Sequence, residues 1–202
     1  MNEVFLFGED SAHEQVVGSI LRCLANKLQV QIQLKVRSAT GGHGRVFSAL
    51  SSFVRDIGDA PVSLPCLVVV AIDANCLGFN QRKQQIDEHC QKLSRRSLPV
   101  AHAIPDPHVE RWLLVDSAAF KAVLGVGCDA PDQKCQRGRY KRLLREAIQK
   151  AGINPSLGGI EYAADIVAEM DFTHVPHTDE SLAKFIASVT QQFREWQGRG
   201  EP

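Results

Sequence analysis

The 202-residue chain carries no excess of either charge, with 23 Lys and Arg against 23 Asp and Glu. A nucleic-acid binder of this balance must concentrate its basic residues in a local patch. No apolar run approaches the roughly 20 residues needed to cross a bilayer. Met1-Asn2-Glu3 is not a basic leader start, and the apolar stretch behind it is strand-sized, so no secretory leader is expected. The six cysteines (Cys23, Cys66, Cys76, Cys90, Cys128, Cys135) include no Cys-x-x-Cys pair. Several fall in predicted helices or strands, so reduced thiols in a cytoplasm are expected rather than a disulfide frame. A zinc site from Cys128, Cys135 and a histidine would have the wrong spacing for the common fingers. There is no internal repeat, and only residues 197–202 read as a disordered tail.

What is present is an alternation of strand and helix patterns. The hydrophobic content of 44% is that of an ordinary globular protein, and the length allows a full core. Strands are expected at 4–7, 30–36, 66–72 and 99–104. Val30, Ile32, Leu34 and Val36 alternate with Gln31, Gln33 and Lys35, the pattern of a strand open to solvent on one side. Residues 66–72 are apolar throughout, as a central parallel strand requires. Helices are expected from Ser11, taken as an N-cap, through Leu28, and from after Gly44 to Asp59. Further helical patterns cover 80–93, 107–114, 118–124, 139–151, 160–169 and 180–196. The first half therefore reads as a parallel sheet with right-handed crossovers. The expected division is an α/β core over 1–125 and a helical C-terminal extension over 126–202 packed on it.

Ligands of open α/β sheets bind beyond the carboxyl ends of the strands. Glu9, Asp73 and Glu110 stand just past three predicted strands. Carboxylates that converge ionise together only around a cation or by sharing a proton, and a hard divalent ion reaching for phosphate oxygens is the economical explanation. Gly8 permits a tight turn at Glu9. Glu9 can instead serve the helix dipole, and Glu14, within the first helical turns, faces either the site or solvent. Asp73 closes a wholly apolar strand, where a carboxylate needs a partner. Asn75 can add an amide oxygen, although both residues suit an Asx-turn. Asp106 is a candidate N-cap for the helix bearing Glu110, and Trp112, Leu113 and Leu114 read as core.

Taken together, Phe5-Leu6-Phe7-Gly8-Glu9-Asp10 with Glu14, then Val68-Val69-Val70-Ala71-Ile72-Asp73-Ala74-Asn75, then Val109-Glu110-Arg111-Trp112-Leu113-Leu114, resemble the three motifs of the TOPRIM fold. The similarity is to the branch related to OLD-family (overcoming lysogenization defect) nucleases, which includes stand-alone anti-phage proteins, and it covers about residues 3 to 145. Asn75 stands where the motif has a second aspartate, and glycine precedes Glu9 instead of following it. The resemblance implies a TOPRIM-like, mostly parallel four-stranded sheet. It also implies magnesium- or manganese-dependent cleavage of DNA or RNA (tRNA included), and pairing with a separate ATPase. Glu9, Glu14, Asp73, Asn75 and Glu110 would then hold metal, and a lysine, Lys141 or Lys134, would complete the site.

Lys134, Arg137, Arg139, Lys141, Arg142 and Arg145, with one interleaved tyrosine, form the first candidate phosphate track. Arg82, Lys83, Lys92, Arg95 and Arg96 form a second. Either is equally a solvated helix face. Gly41-Gly42-His43-Gly44-Arg45 lacks the Lys-Ser/Thr of a P-loop, which excludes nucleotide hydrolysis of that kind. A tight turn is its plain account, though His43 could aid catalysis. His102 and His108 read as supporting residues. The rivals to a nuclease are a non-catalytic subunit binding an ATPase or nucleic acid, with Phe185, Ile186, Val189, Phe193 and Trp196 as a docking stripe, and a small-phosphoester hydrolase on the same scaffold. A homo-oligomer is compatible with each.

Overall fold

The structure, a computed structural model, describes residues 1–38, 41–59, 65–91 and 98–200. Its four strands are β1 (Asn2–Gly8), β2 (Ile32–Ser38), β3 (Leu67–Ala71) and β4 (Val100–Ala103). They form one all-parallel sheet in the order β2-β1-β3-β4. The helices are α1 (Ser11–Lys27), α2 (His43–Asp59), α3 (Phe79–Gln91), α4 (Ser117–Leu124), α5 (Arg139–Lys150), α6 (Ala163–Glu169) and α7 (Glu180–Gly200). This is a Rossmann-like α/β fold, the class read from the strand and helix patterns.

The alternation of side chains along each strand divides the core in two. Val4, Leu6, Leu67, Val69, Ala71, Ala101 and Ala103 face α1 and the C-terminal helices in one apolar cluster. Phe5, Phe7, Val68, Val70 and Ile72 face Val46, Leu50 and Val54 of α2 and Ile86 and Cys90 of α3 in the other. A strand buried on both faces must be apolar at every position, and β3 is. β2 lies at the sheet edge, where Val36 stays 40% exposed.

Several boundaries differ from the sequence reading. β2 starts two residues later than expected because the Val30 N–H still closes the end of α1 on the Ala25 carbonyl (2.8 Å). Asp10, not Ser11, caps α1, accepting from the N–H groups of Ala12 and His13. The expected helix at 107–114 is a short 3-10 segment, Val109–Leu114, and Asp106 does not cap it. The helix expected at 160–169 divides into a 3-10 turn, Ile160–Tyr162, and α6. Helix α7 runs on to Gly200, so the tail is ordered further than expected. There Trp196 packs against the core and the Gln197 amide donates to the Leu28 carbonyl.

The expectation of six reduced thiols is overturned. Cys76 and Cys135 are joined in a disulfide, with their Cα atoms 5.3 Å apart. Their separation of 59 residues matches no motif spacing; the fold alone brings their two loops together. That bond also removes Cys135 from any zinc site with Cys128.

Candidate active site

The sheet order places a topological switch between β1 and β3: from β1 the chain goes outward to β2, then returns on the other side to β3. The crevice beyond such a switch is where open α/β sheets hold ligands. Glu9 follows β1 there and Asp73 follows β3. Hydrogen bonds continue past the strands: the Glu9 N–H donates to the Ala71 carbonyl (3.1 Å), and the Asp73 N–H to the Glu9 side chain at Oε2 (3.2 Å). Ala74 and Asn75 donate to the carbonyls of Pro105 (2.8 Å) and Pro107 (3.0 Å). The segment carrying Glu110 is thereby drawn to the same rim.

The result is a cleft of about 330 Å³ lined by Glu9, Asp10, His13, Asp73, Asn75, His108, Glu110, Arg137, Gly138, Tyr140 and Lys141. The three acids singled out from the sequence, with Asn75, Arg137 and Lys141, therefore share one cleft.

Asp73 is its hub. One carboxylate oxygen accepts from the Val109 N–H (2.9 Å) and meets His13 Nε2 (3.0 Å); the other meets His108 Nδ1 (2.8 Å). It thus supplies the cap that Asp106 was expected to give the 3-10 segment. Burial opposes its charge, but His13 and His108 overcome that and hold its pKa below the usual value. His13 is buried, with Nδ1 2.8 Å from Asp10. Burial disfavours the imidazolium, yet Asp73 and Asp10 raise its pKa to about 10. Asp73 also raises the pKa of His108, chiefly through their hydrogen bond. Glu110 is 4% exposed. Burial first, then the charge of Asp73, push its carboxyl upward. Lys141 Nζ lies 3.6 Å from Glu110 and 3.9 Å from Asp10, bridging the acids across the mouth.

His13 and Arg82 are the residues that sequence reasoning missed here. His13 stands in the first turn of α1, three residues after the capping Asp10, a position that faces the strand ends. Arg82, expected on a surface track, is instead 4% exposed and donates through Nε to the Asp73 carbonyl (3.1 Å). Its charge lies beneath the acids. Lys83 pairs with Asp87 (2.5 Å), away from the cleft lining. Lys92, Arg95 and Arg96 lie outside the described residues.

Glu14 does not line the cleft. Its side chain folds over Gly8, where an added Cβ would meet Cγ at 2.9 Å, and its Oε1 is buried without a hydrogen-bond partner among the described residues. Gly8 therefore makes room for Glu14; its φ is not positive, so the turn does not require glycine. Lys134 and Arg139 both pair with Asp132, and Arg142 with Glu146 (3.7 Å). Arg145 is exposed on α5. Of the first basic track, Arg137 and Lys141 reach the cleft. His102 bonds Asp87 (2.7 Å), whereas His43 sits edge-on to Phe47. Phe185, Val189 and Phe193 are fully buried and Ile186 is nearly so, which makes the C-terminal stripe core.

The donor set suits a divalent cation. Glu9, His13 and Asp73 offer ligand atoms that all lie within 4.8 Å of one another. To ligate an ion, His13 must give up its Nε2 proton and with it the hydrogen bond to Asp73 Oδ1 (3.0 Å), so binding would release a proton. Asp10 on Nδ1 is the outer carboxylate that commonly orients a ligating histidine. An imidazole among carboxylates fits manganese and the later transition ions better than magnesium.

No protein-family model matches the sequence, and no curated protein or solved structure matches it significantly.

Proposed function

We propose that this chain is a divalent-cation-dependent phosphodiesterase that cleaves nucleic acid, a nuclease of TOPRIM type. The observation that supports this reading best is the meeting of Glu9 and Asp73, at the switch between β1 and β3, with Glu110, Lys141 and Arg137 in one cleft. Glu9, His13 and Asp73 would hold the ion. A bound divalent cation polarises a phosphate oxygen and lowers the pKa of water at the site.

The remaining chemistry belongs to the chain. Lys141 and Arg137 would bind phosphate oxygens, and Lys141 would offset charge gathering on the reacting phosphate. Glu110, buried and raised in pKa, can hold and pass a proton to the leaving oxygen or orient the attacking water. His108 holds Asp73 in place. The OLD-family resemblance extends the proposal to an anti-phage effector acting with a separate ATPase.

One observation favours a second reading, a non-catalytic subunit: both Asp73 oxygens already have protein partners. Manganese titration by calorimetry, followed by cleavage assays on labelled DNA and RNA, separates the two. The nuclease reading expects manganese binding that Asp73→Asn removes. Outer-sphere partners of a metal already cost about 10–100-fold when lost, so Glu9→Gln or Asp73→Asn should lower cleavage by at least about 100-fold. Cleavage that persists in both variants overturns it.

A further inference from the structure

The cleft has two walls from distant parts of the chain. One is the end of β3, through Asp73 and Asn75; the other is the turn into α5, through Arg137, Gly138, Tyr140 and Lys141. Cys76 directly follows Asn75, and Cys135 stands two residues before Arg137. Their disulfide is a covalent tie across the cleft. Both cysteines are exposed, so a reductant can reach the sulfurs without unfolding the protein.

The second wall begins in irregular chain. Residues 125–138 carry no regular helix or strand, and 132–138 are exposed throughout. What else holds them is polar: a few part-buried hydrogen bonds to Arg111 and to the hydroxyl of the buried Tyr140, and one exposed ion pair. Arg111 Nε donates to the Pro131 carbonyl (3.2 Å), Arg139 pairs with Asp132, and the Tyr140 hydroxyl accepts from the Lys134 N–H (2.7 Å). From Tyr140 onward the chain is anchored, because Tyr140, Leu144 and Ile148 are fully buried. Freedom released at Cys135 therefore reaches Arg137 and fades along the first turn of α5. Two of the remaining thiols are poor competitors: burial pushes Cys90 up to about 11 and Cys128 up to about 12.

We propose that the Cys76–Cys135 disulfide is a reversible redox clamp on the cleft, holding the Arg137 end of the basic wall against Asp73 and Asn75 when oxidised and releasing it when reduced by a dithiol. The thiolate of the dithiol attacks one exposed sulfur, forming a mixed disulfide and expelling the other cysteine as a thiolate that takes up a proton. The second thiol of the reductant, as thiolate, then attacks its own sulfur in the mixed disulfide and expels the first cysteine, which is protonated in turn. Two electrons pass to the protein, leaving two protein thiols and an oxidised, disulfide-form reductant. The consequence for substrate rests on the proposed function; the clamp itself does not.

The test uses the full chain, equilibrated with oxidised or reduced dithiothreitol under native conditions. Peptide mass mapping should find Cys76 linked to Cys135 only in the oxidised sample. Backbone hydrogen exchange over 134–138 should quicken about tenfold on reduction, as for a segment whose local opening becomes easier, while β1, β3 and α5 beyond Tyr140 remain unchanged. Cys76→Ser and Cys135→Ser should each match the reduced protein and lose all response to the dithiol. A fluorescein-labelled oligonucleotide, with calcium in place of a catalytic ion, should bind several-fold more weakly to the reduced form. Absence of the linked peptide, resistance of the bond to native reduction, or equal exchange in both states overturns the clamp. If the oligonucleotide binds neither state, the nuclease reading fails while the exchange comparison still decides the clamp.

Discussion

At the scale of single residues, the site is a balance of buried charge. Glu9, Asp10, Asp73 and Glu110 are opposed by His13, His108, Arg82 and Lys141. Removing one partner of a buried pair costs roughly 3 kcal/mol, since the other charge stays desolvated, and His13→Gln should cost about that. The pH dependence has a definite sign. The pKa of His13 is raised from 6.5 to about 10 in the fold. Its contribution is therefore complete below pH 6.5 and disappears as pH rises through about 10. Urea unfolding with a chelator present should show that alkaline loss in the wild type and a flatter curve in His13→Gln. Asp73 was legible because a carboxylate ending an apolar strand demands a partner. Which partner it takes was not, since His13 and His108 lie 60 and 35 residues away.

At the scale of elements, β1 shows why patterns predict existence better than boundaries. Its apolar run marks a strand without ambiguity, yet the reason for Gly8 is a neighbour on the next helix. Gly8→Ala places a Cβ against Glu14 Cγ, close to the helix backbone and hard to move. Overpacking of this kind costs typically about 1–3 kcal/mol. Thermal melts should show Gly8→Ala well below the wild type, and the double variant Gly8→Ala/Glu14→Ala should recover most of the loss. Equal melting of the two variants would remove the steric account. Likewise, Asp10 rather than its neighbour Ser11 caps α1, because its carboxylate serves two backbone N–H groups and the His13 ring at once.

At the scale of the molecule, the larger apolar cluster runs without a break from β1 and β3 to Phe185, Val189 and Phe193 of α7. The C-terminal helices therefore share their core with the sheet. Phe185 is fully buried and stacks on Trp112 (5.8 Å between ring centres), beside the segment that carries Glu110. Phe185→Ala should cost about 3–5 kcal/mol and lower one cooperative transition seen alike by near- and far-ultraviolet dichroism. Two separated transitions would show that sheet and C-terminal helices unfold independently. No helix among the described residues is long and apolar enough to cross a membrane.

Taken by itself, the sequence determined the α/β class, the four strands and the acids at their ends, because hydrophobic period and strand-end position are local properties of a chain. Only the tertiary structure decided that His13 and Arg82 would compensate those acids, that Glu14 would pack over Gly8 instead of lining the cleft, and that Cys76 would meet Cys135. Those pairings span up to 60 residues, and no local pattern encodes a distance that the packing of a whole sheet must first create.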